Sequence, residues 1–473
     1  MTYLSEVQVP ELPEKSEKLT SLLNVLHDEF LLSDETVDRI VADFHEEMRQ
    51  GLAKHDSMGK KTGPLAMIPS YVTSRPNGKE TGSYLALDLG GTNLRVCQIT
   101  LNGDSTFSIT QQKFTIPAEA KEATLFDWIA QSVELFLDEH NLATDDASNP
   151  IPCGFTFSFP IDQTGIAKGK LIMWNKGFAV PNAVDRDIVS LTQSAFSRRF
   201  LNVKIVAIIN DTIGSLMASA YSHSNSQMGI IFGTGTNACY WEKTKNITKW
   251  TKEEIERFPE EMIINMEWGA FDNKLAVLPF TPYDNKLNRK SHNHGLQVFE
   301  KMISGMYLGE VIRNVLLWLV DRRVLFGGRS SEVLNEGYSL DTSYVSIAVA
   351  DETPQLSEIK NLIEGTLNIP DTTLTDRIVF KYACNLVGAR AKRLSGAAMC
   401  AVLLWRPELL EKDVTVGIDG SMFQFYPGFA DSLMEEAKRI LGPERASRVK
   451  LILAKDGSGF GAAIVAMTAS KKL

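Results

Sequence analysis

Apolar positions along the chain follow two rhythms. In "DETVDRIVADFHEEM", Val37, Ile40, Val41, Phe44 and Met48 recur at helical spacing behind Ser33, a residue type that caps helix starts. That spacing predicts helix over residues 14–50, with Gly51 as its stop. Residues 53–83 are polar and turn-rich ("SRPNGKETGS") and lead into "YLALDLGGTNLRVCQIT", Tyr84 to Thr100. There apolar residues run up to Asp88, turn through glycines and resume, which predicts a strand pair. Beyond it, "TLFDWIAQSVELFLDEH" reads as helix, "CGFTFSFP" and "VKIVAIIN" as strands, and "DTIGSLMASAY" as the opening of a helix. Near the end, "VKLILA" is a strand, "KDGSG" a loop and "FGAAIVAMTA" a closing helix. Alternation of this kind predicts an α/β sheet architecture. Residues 325–372 show weak periodicity with scattered Gly, Ser and Asp, and read as peripheral.

Composition narrows the classes. The 473 residues are 44% apolar and 23% charged, an ordinary globular balance that by length holds two to four structural units. The net charge of −9, with no basic run, argues against a nucleic-acid or anionic-membrane partner. It also means that an anionic ligand must be held by local groups against the global field. The five cysteines (97, 153, 239, 384, 400) form no C-x-x-C pair and read as reduced core residues, not a disulfide frame or zinc site. The start "MTYLSEVQVPELPEKSEK" lacks a signal pattern, and apolar runs such as Ala397 to Trp405 fall short of the roughly 18 residues that span a bilayer. The ending Lys-Lys-Leu is not the peroxisomal address. A cytoplasmic location is the default; monomer and homo-oligomer both stay open.

Glycine-rich turns change the picture next. Glycine lets the backbone approach a ligand and supplies φ > 0, and successive N–H groups then form an anion-binding concavity. Four such segments occur: Gly90-Gly91-Thr92-Asn93, Gly233-Thr234-Gly235-Thr236, Gly417-Ile418-Asp419-Gly420-Ser421 and Gly457-Ser458-Gly459. One alone fits a hairpin as well as a phosphate loop; four flanked by strand-like runs point to phosphate. No P-loop NTPase motif and no protein-kinase motif set is present, and the first glycine turn leads into a strand, unlike a dinucleotide fingerprint. "ALDLGGTNLRVCQI" and "GIIFGTGTNACYWE" share one plan of strand, turn and strand. Aligning Gly91-Thr92-Asn93 with Gly235-Thr236-Asn237 puts Asp88 opposite Phe232, so one turn of the pair carries an acid. Duplicated turns suggest two half-sites facing a common cleft. In "IINDTIGSL", Asn210-Asp211-Thr212 ends a strand and opens a helix; helix capping and general-base chemistry are both open for Asp211. Lys176 in "WNKGF", Glu267 in "NMEWGAFDN" and Glu300 in "QVFEKMISG" each also fit a structural role when taken singly.

Taken together, "LALDLGGTNLRV", "GFTFSFP", "WNKGF", "IINDTIG", "FGTGTNACY", "NMEWGAFDN", "FEKMISGMYLGE", "GIDGS" and "AKDGSGFGAA" resemble the hexokinase family, in its fungal-type form with a single catalytic unit. "GTGTN" and "AKDGSG" look closer to its glucokinase branch. The resemblance implies a two-lobed actin-like ATPase (ribonuclease H-like) α/β fold with a central cleft. The small lobe would be 78–211 plus 458–473, and the large lobe 1–77 plus 212–457. It implies ATP-dependent phosphorylation of glucose at the 6-hydroxyl, the first step of glycolysis, with other hexoses open. Sugar-binding positions carry over to Ser158, Asn175, Lys176, Asn210, Asp211, Asn237, Glu267 and Glu300. Asn175 departs from the threonine more common there, keeping a hydrogen-bonding group with longer reach. Asp211 would be the general base and Lys176 would balance charge on the transferred group. Gly90, Gly91, Thr92, Asn93, Arg95, Gly233, Thr234 and Gly235 would hold the phosphates of ATP, with Gly420, Ser421, Gly457 and Ser458 on the adenosine side. Asp88 would orient Mg²⁺ through its water shell. Two rivals remain: a non-catalytic hexose-sensing regulator, against which Asp211 and Lys176 speak, and an ATPase without a sugar site, against which Glu267 and Glu300 speak.

Overall fold

Strand and helix alternation resolves into two main sheets in a computed structural model that describes residues 7–14, 16–53, 65–144, 146, 148–174, 177–454 and 457–470. The first sheet has the order Phe107–Thr115, Asn93–Asn102, Thr81–Leu89, Ile151–Phe157, Val203–Ile209, and its last three strands run parallel. The second has the order Ile68–Pro69, Glu261–Asn265, Thr236–Lys243, Ser226–Phe232, Val414–Asp419, Val449–Leu453, again with the last three parallel. A small ribbon, Ile161–Gly165 with Lys168–Leu171, flanks the first. Both hairpins of the internal echo are present, Thr81–Leu89 with Asn93–Asn102 and Ser226–Phe232 with Thr236–Lys243.

Two helices, Asp211–Ser222 and Gly457–Ser470, lie between the sheets and are apolar nearly all round, as a buried helix must be. Their Leu216, Met217, Ile464 and Val465 share one core with Ala86 and Cys97 of the first sheet and Cys239, Trp241 and Ile263 of the second. Their backbones touch, since a Cβ at Gly461 would collide with the Gly214 backbone, and the closing helix also presses on the first sheet, where one at Gly154 would collide with the Ala462 carbonyl. Glycine is needed there for close approach. The closing helix begins at Gly457, so Gly457-Ser458-Gly459, expected as a loop, forms its first turn. Lys455 and Asp456 lie outside the described residues.

The N-terminal helix expected over 14–50 is two helices, Glu17–Phe30 and Asp34–Leu52. Ser33 causes the break, because its extended backbone (ψ 156°) lets its hydroxyl cap Thr36 N–H. Gly51 lies within the last turn and does not stop it; a Cβ there would meet Leu65 O at 2.5 Å, so its role is close packing. Residues 325–372 are also not peripheral. They include the helices Thr342–Ala350 and Ser357–Asn361 and bury Leu334, Leu340, Val345, Ile359 and Ile363 in the main core. Their short helices hid the 3.6-residue period. All five cysteines are buried and none is in a disulfide. Among the described residues no helix is long and apolar enough to cross a membrane.

Helix Asp34–Leu52 also carries a carboxyl cluster. Asp43, Glu47 and Asp272 bring carboxylate oxygens within 4.8 Å of one another. The Asp272 carboxylate accepts from the N–H groups of Ala276, Val277 and Leu278, while Glu47 accepts from Asp272 N. Burial first, then the charges of Asp43 and Asp272, push the Glu47 carboxyl up to about 8. Its favourable neutral form is therefore fully effective below the ordinary value of 4.5 and is lost as pH rises toward 8. Glu47→Gln is expected to raise the thermal midpoint at pH 8, with the gain shrinking to nothing by about pH 5. Melting curves across that range check it, and a pH-independent difference sinks it.

Candidate active site

Three parallel neighbours of the first sheet deliver the acid residues. Ligands gather at the carboxyl ends of parallel strands, and here those ends carry Asp88, Ser158 and the pair Asn210-Asp211. Asn210 is the N-cap of the following helix: its Oδ1 accepts from Thr212 N at 3.0 Å and from Thr212 Oγ1 at 2.8 Å. Capping therefore rests on Asn210, and Asp211 occupies the first helical position. Thr212 N also donates to Asp211 Oδ1 at 2.8 Å, and Ser158 Oγ donates to Oδ2 at 3.2 Å, so both carboxylate oxygens are located. The carboxylate is half-buried at a helix N-terminus, where the dipole favours negative charge.

Asp88 is placed from the other side. Ser458 Oγ donates to Asp88 Oδ2 at 2.7 Å, and Ser458 O accepts from Thr156 Oγ1 at 2.9 Å. Ser458, expected toward adenosine, thus sits on the acid, and Gly457 packs on Ser215 with Cβ room of only 2.9 Å. Arg95 lies opposite Asp88 in the strand register, and Thr92 and Thr234 are exposed at the tips of their hairpins.

Each of the paired turns is closed by a backbone hydrogen bond, of different span: Gly90 N donates to Asn93 O at 3.0 Å, and Gly233 N to Gly235 O at 3.0 Å. Gly90, Gly233 and Gly235 do not use positive φ, contrary to the reason offered for glycine in such turns. At Gly235 the reason is steric, because a Cβ there would stand 2.6 Å from Glu300 Oε2, whereas Gly420 does use positive φ, +114°, and also packs against the Phe232–Gly233 backbone. The Gly233 and Thr234 carbonyls accept from Gly305 N at 2.8 Å and Met306 N at 3.1 Å. Ser421 opens the helix Ser421–Phe425 and is exposed.

The remaining candidates converge through amides and acids. Glu300 Oε2 accepts from Thr236 N at 2.9 Å, and Thr236 Oγ1 accepts from Trp268 Nε1 at 2.9 Å. Asn237 Nδ2 donates to Glu267 Oε1 at 3.2 Å and to Asn210 Oδ1 at 3.3 Å, joining the second sheet to the cap before Asp211. Glu267 has a left-handed backbone, φ 55° and ψ 47°. Asn265 was not singled out from the sequence, yet it bonds both partners: Asn237 Nδ2 donates to its Oδ1 at 2.8 Å, and its Nδ2 donates to Glu267 Oε1 at 2.8 Å. The available signal was a polar residue ending the apolar strand "EMIIN" two places before Glu267. Asn175 and Lys176 lie outside the described residues.

Such a convergence of acids, amides and paired glycine turns suits a polyol beside a phosphate chain. Family models described as Hexokinase match residues 22–221 and 227–468. The chain is similar to a glucokinase of Aspergillus niger, 40% identical over 92% of this chain and 94% of that protein. It is also similar to hexokinase-1 of Schizosaccharomyces pombe, 39% identical over 95% of this chain and 91% of that one. Among solved structures, the hexokinase from Schistosoma mansoni complexed with glucose superposes with a TM-score of 0.85 at 35% identity, covering 96% of this chain and 100% of that one.

Proposed function

The chain belongs to the hexokinase family, and from that premise we propose that it transfers the γ-phosphoryl group of ATP to the 6-hydroxyl of glucose, giving glucose 6-phosphate and ADP. The observation that carries the reading is the position of Asp211. Its carboxylate is fixed at both oxygens and stands at the end of a bonded series Glu267–Asn237–Asn210 made of sugar-compatible groups. Glucose bound by Ser158, Asn210, Asn237, Glu267 and Glu300, together with Asn175 and Lys176, would present O6 to Asp211. Asp211 takes the O6 proton as O6 forms its bond to the γ-phosphorus; the bond from that phosphorus to the β–γ bridging oxygen breaks, and ADP leaves with the electron pair. Lys176 acts as a point charge on the transferred group. The turns at 90–93 and 233–235, with Arg95, hold phosphate oxygens, and Gly420 and Ser421 face the nucleoside.

The donor set fits a hard cation: a half-buried carboxylate ends a strand, with Oδ2 steadied by a hydroxyl at 2.7 Å. Asp88 would hold magnesium through its water shell, and the chemistry so supplied is neutralisation of phosphoryl charge. The sheets suggest lobes divided near residues 78, 211 and 458, with closure on the sugar suppressing attack by water. We place the reaction in the cytoplasm as the first step of glycolysis; five buried thiols outside any disulfide suit a reducing compartment.

ADP release in MgATP is the test, with no sugar and then with glucose, fructose or mannose. The proposal expects release only with sugar, glucose giving the highest kcat/KM. Sugar-independent release would make the protein an ATPase. Silence with every sugar would make it a hexose-sensing regulator.

A further inference from the structure

Asn265 is buried at 7% exposure, and both ends of its amide are engaged by residues read above as sugar ligands. The Asn237 amide has two protons and three acceptors around them: Asn265 Oδ1 at 2.8 Å, Glu267 Oε1 at 3.2 Å and Asn210 Oδ1 at 3.3 Å. Its own Oδ1 is taken by Ala238 N at 2.7 Å. The shortest of these contacts, to Asn265, therefore fixes one proton and leaves the other shared between Glu267 and Asn210. Asn265 also decides where Glu267 points. That residue has φ 55°, a backbone few long side chains adopt, so its carboxylate needs an external hold, and Asn265 Nδ2 supplies one at 2.8 Å. The series ends on Asn210 Oδ1, which caps the helix that begins with Asp211. A single amide thus aligns two ligands from one sheet with the catalytic strand end of the other.

We infer that Asn265 is a positioning residue for hexose binding, orienting Asn237 and Glu267 toward the sugar and coupling them to the Asn210 cap. The inference rests on the reading of Asn237 and Glu267 as sugar ligands. Removing a buried hydrogen-bonding partner leaves other groups unsatisfied, which in binding terms is about ten-fold or more.

Glucose binding by titration calorimetry, with steady-state kinetics alongside, tests it on the full chain. Asn265→Ala is expected to weaken glucose about ten-fold or more, with the KM for ATP moving less than about two-fold. Asn265→Asp keeps the acceptor for Asn237 but sets a second carboxylate against Glu267, so at pH 8 it should lose more than Asn265→Ala. In a Glu267→Ala background, adding Asn265→Ala should cost clearly less in kcat/KM than it does in the wild type, because the share that acts through Glu267 is already lost and only the hold on Asn237 remains. A merely structural asparagine would lower the melting temperature in both backgrounds, and the kinetic losses would multiply. Glucose affinity of Asn265→Ala within two-fold of wild type, or full multiplication with Glu267→Ala, overturns the inference. If Asn265→Asp does not fold, the alanine pair decides alone. A wild-type chain that does not bind glucose overturns both this inference and the proposed substrate; one that binds without phosphoryl transfer overturns only the proposed reaction.

Discussion

Asp211→Ala is expected to lower kcat by at least about 10²–10⁴, the range for losing a positioned general base, while glucose still binds, more weakly. The structure separates this outcome from the capping alternative that the sequence left open. Were Asp211 the cap, its loss would cost about 1 kcal/mol of helix stability and leave turnover near normal. Here Asn210 Oδ1 accepts from both the N–H and the hydroxyl of Thr212, and those bonds survive the substitution. Asp211 contributes one further acceptor to the same N–H, at 2.8 Å. Thermal unfolding should therefore shift little while phosphoryl transfer collapses. Asn210→Ala should do the reverse in part: it removes the cap and one end of the bonded series to Asn237, lowering stability and sugar affinity together. Steady-state kinetics with melting curves on Asp211→Ala decide the matter, and near-normal kcat would take Asp211 out of its role.

The strand ends that build the site were legible because their chemistry is local. A run such as "VKIVAIIN" followed by "DTIGSL" announces a strand, a cap and a helix within a dozen residues, and Asn210-Asp211 sits where that grammar puts it. The paired glycine turns were legible as turns, but the reason for glycine was not. Steric need at Gly235 comes from Glu300, and at Gly461 from Gly214, both far away in the chain. Asn265 was missed for the same reason: its meaning lies in Asn237, on the neighbouring strand, and no spacing rule joins them. The division of 14–50 into two helices turns on Ser33, whose capping hydroxyl starts a second helix where the apolar spacing alone runs on without a break. Ser458 illustrates a third limit. Its hydroxyl reads as another phosphate-loop donor until the fold brings it to Asp88, from the opposite end of the chain. What composition and periodicity carry is which elements form; which side chains then meet depends on how the two sheets grip the helices between them.

That grip yields the second large effect. Gly461→Ala is expected to destabilise the protein by about 3 kcal/mol or more, the upper end for overpacking, whereas Gly459→Ala, two positions earlier in the same helix, should be neutral or stabilising by up to about 1 kcal/mol. Both changes replace a helical glycine with the best helix former, so propensity alone predicts the same gain twice. The surroundings differ. A Cβ at Gly459 meets only Cys97 Sγ at 3.6 Å, an ordinary contact, while one at Gly461 collides with three backbone atoms of Gly214 that no rotamer change can move. The closing helix must then back away from helix Asp211–Ser222, and it carries Ser458 with it. Ser458 holds Asp88 Oδ2 at 2.7 Å and is tied through its carbonyl to Thr156, so the displacement reaches the proposed magnesium-orienting acid. Gly461→Ala should accordingly need more magnesium for half-maximal rate. Paired melting curves and magnesium titrations of the two variants make the comparison. Equal melting temperatures would refute the backbone-contact account, and a melting loss in Gly461→Ala with an unchanged magnesium requirement would detach Ser458 from the work of Asp88.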